Sequence, residues 1–338
     1  MINCLPLICG ISGKELTREE EYFFQNFNPW GIILFSRNCH SKDQLKELVC
    51  NIRSLTHKDI QIMIDQEGGR VHRLVYSSDL KLFPASIFGK IYIHDKKAAK
   101  ESLILQCKII SKELNDVGIN INTFPVLDLP RDDESGVIGD RSFSQNKLIT
   151  AELGKISIET YISMGINPVI KHIPGHGRAR VDSHLDLPIV DTNNNELIKT
   201  DFYPFKFCNF SKLAMTAHII FSEIDSKYPT TISSKVIRDV IRGHINFNGL
   251  LMTDDISMKA LRGKKDVLSI AALKAGCDLI LHCNGDMKEM LSIAEALETK
   301  MYKIDLSSNL MEKNSKNIEF NIHDAMTKLE NIVTEYVD

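Results

Sequence analysis

Gly249-Leu-Leu-Met-Thr-Asp254-Asp255 decides the fold, because an apolar run too short for a helix passes without a linker into two adjacent carboxylates. The pattern repeats along the chain. Strand-like apolar runs at 6–11, 31–35, 60–64, 120–127, 167–170, 213–220, 249–252 and 278–281 alternate with helix-like segments at 41–56, 95–117, 148–164, 195–207, 233–242 and 266–275. Several helical segments stop at a glycine (Gly118, Gly165, Gly276), the residue favoured just past a helix C-terminus. Near-continuous apolar strands alternating with amphipathic helices imply a parallel sheet covered by helices.

An open doubly wound sheet and a closed barrel both satisfy that alternation. A dinucleotide fold needs a third glycine after its first strand, and Gly10-Ile-Ser-Gly13-Lys-Glu lacks it. Eight units favour a single-domain (β/α)8 TIM barrel, and the polar residues agree. The third run ends in Asp65-Gln66-Glu67, the fourth runs into Asp128, and the fifth ends in Lys171-His172. The sixth reaches His218, the seventh ends in Asp254-Asp255, and the eighth in His282. Ionisable groups directly after buried runs cost desolvation unless they have a purpose or a partner. A barrel places its catalytic groups at these strand ends.

Composition narrows the class. With 338 residues, 43% hydrophobic and 25% charged, the chain has the proportions of a globular protein. A formal charge of -3 offers no basic stripe for a phosphate backbone, so no nucleic-acid partner is expected. No stretch approaches the roughly 20 apolar residues of a membrane span. The N-terminus has no Lys or Arg before Lys14 and contains Pro6, which suits a buried first strand better than a signal peptide. The eight cysteines show no CxxC pair and read as free thiols of a reducing, cytoplasmic compartment.

The densest polar segment is Lys171-His-Ile-Pro-Gly-His176-Gly-Arg-Ala-Arg-Val-Asp182-Ser-His184-Leu-Asp-Leu-Pro188. Asp182 and His184 are two apart, a spacing that puts both side chains on one side of an extended stretch. A carboxylate beside an imidazole raises the ring's proton affinity and suits a group that donates a proton and later recovers it. His172, His176 and His184 with Asp182 could instead ligate a metal, although none has the helical spacing of HExxH. Lys171 could be a Schiff-base lysine of an aldolase or lyase barrel. His94 and His323 lie in polar segments and read as surface. In the second centre, Asp254 offers the carboxylate that a retaining glycosidase uses as nucleophile, and Asp255 reads as a cap or supporting contact.

At these residues the chain resembles the β-N-acetylhexosaminidases of glycoside hydrolase family 3, and among them the bacterial enzymes of peptidoglycan recycling. The matching motifs are Asp65-Gln-Glu-Gly-Gly-Arg70-Val-His-Arg73, Ile138-Gly-Asp-Arg141-Ser-Phe143, the 171–184 segment and Thr253-Asp-Asp-Ile-Ser-Met258, in family order. The resemblance implies a retaining β-N-acetylglucosaminidase working without cofactor or metal. Asp254 would be its nucleophile, and His184, oriented by Asp182, its general acid and then base. Asp65, Arg73, Arg141, Lys171 and His172 would hold the sugar. The substrate would be an amino sugar or N-acetylglucosaminyl-1,6-anhydro-muropeptide, with a phosphorylase on the same scaffold as an alternative. Ile173 stands where the family commonly has Phe, and Thr253 where Ser is common; both swaps keep bulk or hydroxyl. Arg178 and Arg180 are either solvated or in contact with an anionic part of the substrate. Residues 1–300 are expected to form the barrel and 301–338 a polar linker and a terminal helix at 322–336 packing on it. A monomer is the default.

Overall fold

Eight strands close into a ring because each is apolar on both faces. The computed structural model describes residues 3–56, 59–77, 79–131, 137–179, 186–305 and 320–337. Its first half runs β1 (Asn3–Gly10), α1 (Arg18–Phe27), β2 (Pro29–Leu34), α2 (Lys42–Leu55), β3 (Gln61–Ile64), α3 (Ala85–His94), α4 (Lys96–Asp116), β4 (Ile121–Asn122), α5 (Lys147–Ser163) and β5 (Asn167–Ile173). The second half runs β6 (Ile189–Val190), α6 (Asn194–Lys199), α7 (Tyr203–Phe207), β7 (Leu213–Thr216), β8 (Ile220–Phe221), a π-helix (Val236–His244), β9 (Leu250–Asp255), α8 (Lys265–Ala275), β10 (Leu279–His282), α9 (Met287–Thr299), β11 (Ile304–Asp305) and α10 (Ile322–Val337). Strands β1, β2, β3, β4, β5, β7, β9 and β10 pair in parallel in that order, and β10 pairs back onto β1. The closed (β/α)8 barrel expected from the alternation is present.

Side-chain parity divides the core into two layers. Ile8, Trp30, Ile33, Met63, Ile121, Val169, Met215, Met252, Leu279 and Leu281 fill the barrel interior. Their neighbours, such as Leu7, Ile32, Ile64, Ile170, Ala214, Leu251 and Ile280, pack outward against the helices. With both faces covered, the strands have no need of polar alternation, and this is why they read as unbroken apolar runs. Helix starts are sealed locally. Thr17 accepts from the Glu20 amide at 3.2 Å and Glu20 accepts from the Thr17 amide at 2.8 Å, a reciprocal cap that contributes about 1 kcal/mol.

Several boundaries differ from the sequence expectation. The run at 120–127 pairs as a strand only over Ile121–Asn122, and the run at 213–220 splits, its far end joining a small sheet with β6. The segment at 195–207 is two helices, with Pro204 starting the second. The segment at 233–242 is helical as a π-helix over Val236–His244. Ile304–Asp305, inside the expected linker, pairs antiparallel with β1. Beyond it, α10 buries Ala325, Met326, Leu329 and Val333 and lies against α3 and α4.

Candidate active site

Two residues beyond each interior side chain, the same parity carries the chain out of the apolar core and into the barrel mouth. Phe35 follows Ile33, Asp65 follows Met63, Lys171 follows Val169, Asp254 follows Met252 and Cys283 follows Leu281. All five line one cleft of about 360 Å³, at the small end of ligand pockets and of a size for one sugar ring. His172 joins Lys171 there because the pairing of β5 with β7 shifts register between Lys171 and Ile173, so successive side chains both reach the cleft.

Charge on one wall is neutralised by a buried network. The Lys171 ammonium donates to Asp65 Oδ1 at 3.1 Å and Thr123 Oγ1 at 2.9 Å, and pairs with Glu67 Oε1 at 2.6 Å. Arg141 grips Glu67 with a two-pronged contact, Nε to Oε2 at 2.9 Å and Nη2 to Oε1 at 2.8 Å. Arg73 reaches Asp65 Oδ2 at 3.4 Å, and the Thr123 hydroxyl also donates to Asp65. Asn122 fixes the backbone between the two acids, accepting from the Gln66 amide and donating to its carbonyl, each at 2.9 Å. Burial would raise the proton affinity of both carboxyls, but the adjacent cations outweigh it. Lys171 and Arg73 hold Asp65 well below the usual range, and Arg141 with Lys171 brings Glu67 down from 4.5 to about 2. Three cations face two carboxylates on this wall, each cation in contact with at least one of them.

Asp128 supports the facing wall from behind. Fully buried, it accepts from the amides of His172 at 3.2 Å and His176 at 2.6 Å, and from His172 Nδ1 at 2.7 Å. A carboxylate only accepts, so Nδ1 carries a proton, and in the neutral tautomer Nε2 is the ring's acceptor. Burial works against ionisation of Asp128, but the His172 ring and these amides keep its proton affinity low. His176 is driven down to about 4 by burial and by the neighbouring His172.

Asp254 stands at the end of β9. Burial again opposes its charge, and the His218 and His172 rings in their protonated form, with the Asp255 amide, favour it, leaving Asp254 below the usual carboxylate range. Asp255 is occupied elsewhere. Its carboxylate accepts from the Ser257 amide at 2.9 Å, the Ser257 hydroxyl at 2.6 Å and the Cys283 amide at 3.1 Å. That is the supporting part read for it in the sequence.

The structure therefore gathers Asp65, Arg73, Arg141, Lys171, His172 and Asp254 around one cleft. Asp182, His184 and Arg180 lie outside the described residues. His282 is off parity: it faces outward and bonds Glu289 on α9 at 2.8 Å. Arg178 is committed to protein, donating to Asp201 at 2.9 Å, Glu196 at 2.6 Å and Thr192 at 3.2 Å. It is held by these partners and is not solvated. Among the described residues, no three His, Cys, Asp or Glu side chains gather as a metal site, and no helix is long and apolar enough to cross a membrane. Thr123 is unforeseen in the sequence, where Glu67 and Asp128 read only as ionisable groups at strand ends. Glu67 lines the cleft, and Thr123 and Asp128 support Lys171 and His172 from behind it. Charge balance could have assigned Glu67 its partners, since three cations at one site need more than Asp65.

Comparison with known proteins agrees with this architecture. The model of the glycosyl hydrolase family 3 N-terminal domain matches residues 11–312. A β-hexosaminidase of Tolumonas auensis is 36% identical over 285 residues, covering 82% of this chain and 83% of its own. One from Actinobacillus pleuropneumoniae is 33% identical over 323 residues, with 93% and 91% covered. Native NagZ from Neisseria gonorrhoeae superposes with a TM-score of 0.84 at 27% identity, covering 98% of each chain. The same enzyme in complex with N-trifluoroacetyl-D-glucosamine gives 0.83 at 27% identity, with 98% of this chain and 99% of the other covered. The chain belongs to glycoside hydrolase family 3 and is a glycoside hydrolase.

Proposed function

We propose that this chain is a retaining β-N-acetylglucosaminidase that releases terminal non-reducing N-acetylglucosamine from N-acetylglucosaminyl-1,6-anhydro-muropeptides of peptidoglycan turnover, acting as a cytoplasmic monomer. One observation carries the mechanism: Asp65, Glu67, Asp128 and Asp254 are all shifted toward the ionised form. A nucleophilic carboxylate is thus ready, while no carboxyl among them is held protonated to serve as the acid. The usual two-carboxylate arrangement needs one that is. The acid role falls to an imidazole, which suits His184 paired with Asp182.

In the first step an Asp254 oxygen attacks C1 as the C1–O bond breaks, and the leaving oxygen takes the His184 proton. The covalent glycosyl-enzyme forms. Water then attacks C1, gives its proton to His184, and Asp254 leaves as carboxylate. Asp65 accepts from sugar hydroxyls, Lys171, Arg73 and Arg141 supply donors and positive field, and His172 presents Nε2. The amino-sugar assignment is supported by the β-hexosaminidase relatives and by the neighbour holding N-trifluoroacetyl-D-glucosamine. The muropeptide aglycone rests on the motif likeness.

The rival chemistries fit less well. A Schiff-base lysine needs a free amine, and the Lys171 nitrogen is saturated by two carboxylates and a hydroxyl. A phosphorylase needs an anion seat near C1, and the wall's cations are engaged by Asp65 and Glu67.

The test is hydrolysis of aryl and alkyl N-acetyl-β-glucosaminides by wild type, Asp254→Ala and His184→Ala, with and without phosphate. The proposal expects phosphate-independent release, abolished in Asp254→Ala. In His184→Ala it expects a loss in kcat/KM, which reports the first step, that is small for a dinitrophenyl aglycone and large for an alkyl one. An equal loss on both aglycones would take the acid role from His184, with His172 and Asp128 next to test. No release by folded wild-type protein would end the glucosaminidase reading.

A further inference from the structure

Asp254 sits where the strand ladder gives out. The pairing of β9 with β7 stops at Met252 opposite Met215, and its pairing with β10 shifts register between Leu279 and Leu281. On the β7 side, peptide groups beyond Met252 must find other partners. The Asp254 amide donates to Thr216 Oγ1 at 3.3 Å, Thr216 Oγ1 lies 2.8 Å from Thr231 Oγ1, and Thr231 Oγ1 lies 2.7 Å from His218 Nδ1. His218 Nε2 is 3.0 Å from the Asp255 carbonyl. Thr216, His218 and Thr231 are all fully buried.

Proton bookkeeping gives this chain a single direction. A carbonyl only accepts, so Nε2 carries the hydrogen, and in the neutral ring that burial favours Nδ1 accepts. Thr231 then donates to His218 at 2.7 Å in preference to the Ala217 carbonyl at 3.4 Å, Thr216 donates to Thr231, and Thr216 accepts from the Asp254 amide. The circuit leaves the nucleophile's peptide at its N–H and returns to the next carbonyl, with no group left unsatisfied. We propose that Thr216, Thr231 and His218 are positioning residues that hold the 254–255 peptides by this one-way hydrogen-bond circuit and so aim the Asp254 carboxylate at C1. None of the three lines the cleft. A buried, fully satisfied polar network of this kind specifies one geometry and not merely stability.

The inference rests on Asp254 being the nucleophile, so the experiment reads both at once. Wild type, Thr231→Val, Thr231→Ser and His218→Gln are reacted with a 5-fluoro glycosyl fluoride of N-acetylglucosamine that traps the glycosyl-enzyme. The labelled residue is found by peptide mass spectrometry, and turnover is normalised to sites that can be labelled. Thr231→Val keeps shape but breaks the circuit, and is expected to slow trapping and kcat per labelled site by about 10–100-fold. Its KM should stay within about threefold, the pattern of an interaction used in the transition state. Thr231→Ser restores most of the rate. His218→Gln keeps the donor to Asp255, loses the acceptor for Thr231 and falls between the two, which serves if Thr231→Val does not fold. A label on Asp254 with unchanged rates in Thr231→Val and His218→Gln overturns the circuit alone. A label on another residue overturns the nucleophile reading beneath it.

Discussion

Replacing Glu67 by Ala should destabilise this protein, because it leaves Arg141 without its carboxylate and Lys171 with Asp65 alone. Glu67 and Lys171 side chains are 3% and 2% exposed, and Arg141 is 16% exposed. Removing one partner of a buried pair costs about 3–5 kcal/mol, chiefly because the remaining charge is left uncompensated. Proton linkage gives a similar figure: a fall from 4.5 to about 2 is worth about 3 kcal/mol, at 1.36 kcal/mol for each pH unit. Because the folded-state affinity is depressed, this contribution is fully present above pH 4.5 and is lost as pH falls through about 2. Urea unfolding of wild type and Glu67→Ala, from pH 7 down to the lowest pH at which wild type stays folded, measures both. A difference of about 3 kcal/mol at pH 7 that narrows only below the ordinary carboxyl range is expected. A loss under about 1 kcal/mol, or one independent of pH down to 3, would refute the reasoning by showing that water or rearrangement compensates Lys171 and Arg141.

Gly177 approaches the strand-four end so closely that a Cβ would lie 1.9 Å from the Leu129 carbonyl oxygen. Gly177→Ala should cost about 1–3 kcal/mol or more in unfolding experiments and lower kcat further, by displacing the segment that leads toward residue 184. Arg178→Ala should cost about 1–2 kcal/mol, since buried Asp201 loses one of its two arginine partners and keeps Arg131, yet leave KM for a muropeptide unchanged; a raised KM would return Arg178 to the substrate. Asp128→Asn can present an N–H where His172 Nδ1 needs an acceptor, so the ring's tautomer reverses. The expected fall in kcat/KM is at least about 100-fold, and imidazole nitrogen NMR shifts would report the switch.

Much of the barrel was legible because both faces of each strand are buried, which stamps continuous apolar runs on the sequence. The same parity placed Asp65, Lys171 and Asp254 at the mouth and would have excluded His282, which is one step out of phase. Helix α3 was invisible for the opposite reason: Ala-Ser-Ile-Phe-Gly-Lys-Ile-Tyr-Ile-His is apolar almost all round and carries no helical stripe. Strand β4 was overcalled since beyond Asn122 the buried run keeps only a single bridge, Val126 opposite Lys171, and burial alone sets hydrophobicity. Arg178 misled because a charged residue in a glycine-bearing segment reads as solvated, while its partners come from α6 and Asp201, some 14–23 residues away. Glu67 and Asp128 were legible as ionisable groups at strand ends though not in their partners, and Thr216 and Thr231 carry no local signal, because their contacts run across strands.

The most direct test of the central claim is turnover of a dinitrophenyl N-acetyl-β-glucosaminide by Asp254→Gly with added azide. The account predicts an inactive variant that azide restores, with the α-glycosyl azide as product, since the anion enters from the face that Asp254 vacated. Turnover near the wild-type rate without azide, or formation of the β-glycosyl azide, would contradict the assignment of Asp254 as the nucleophile.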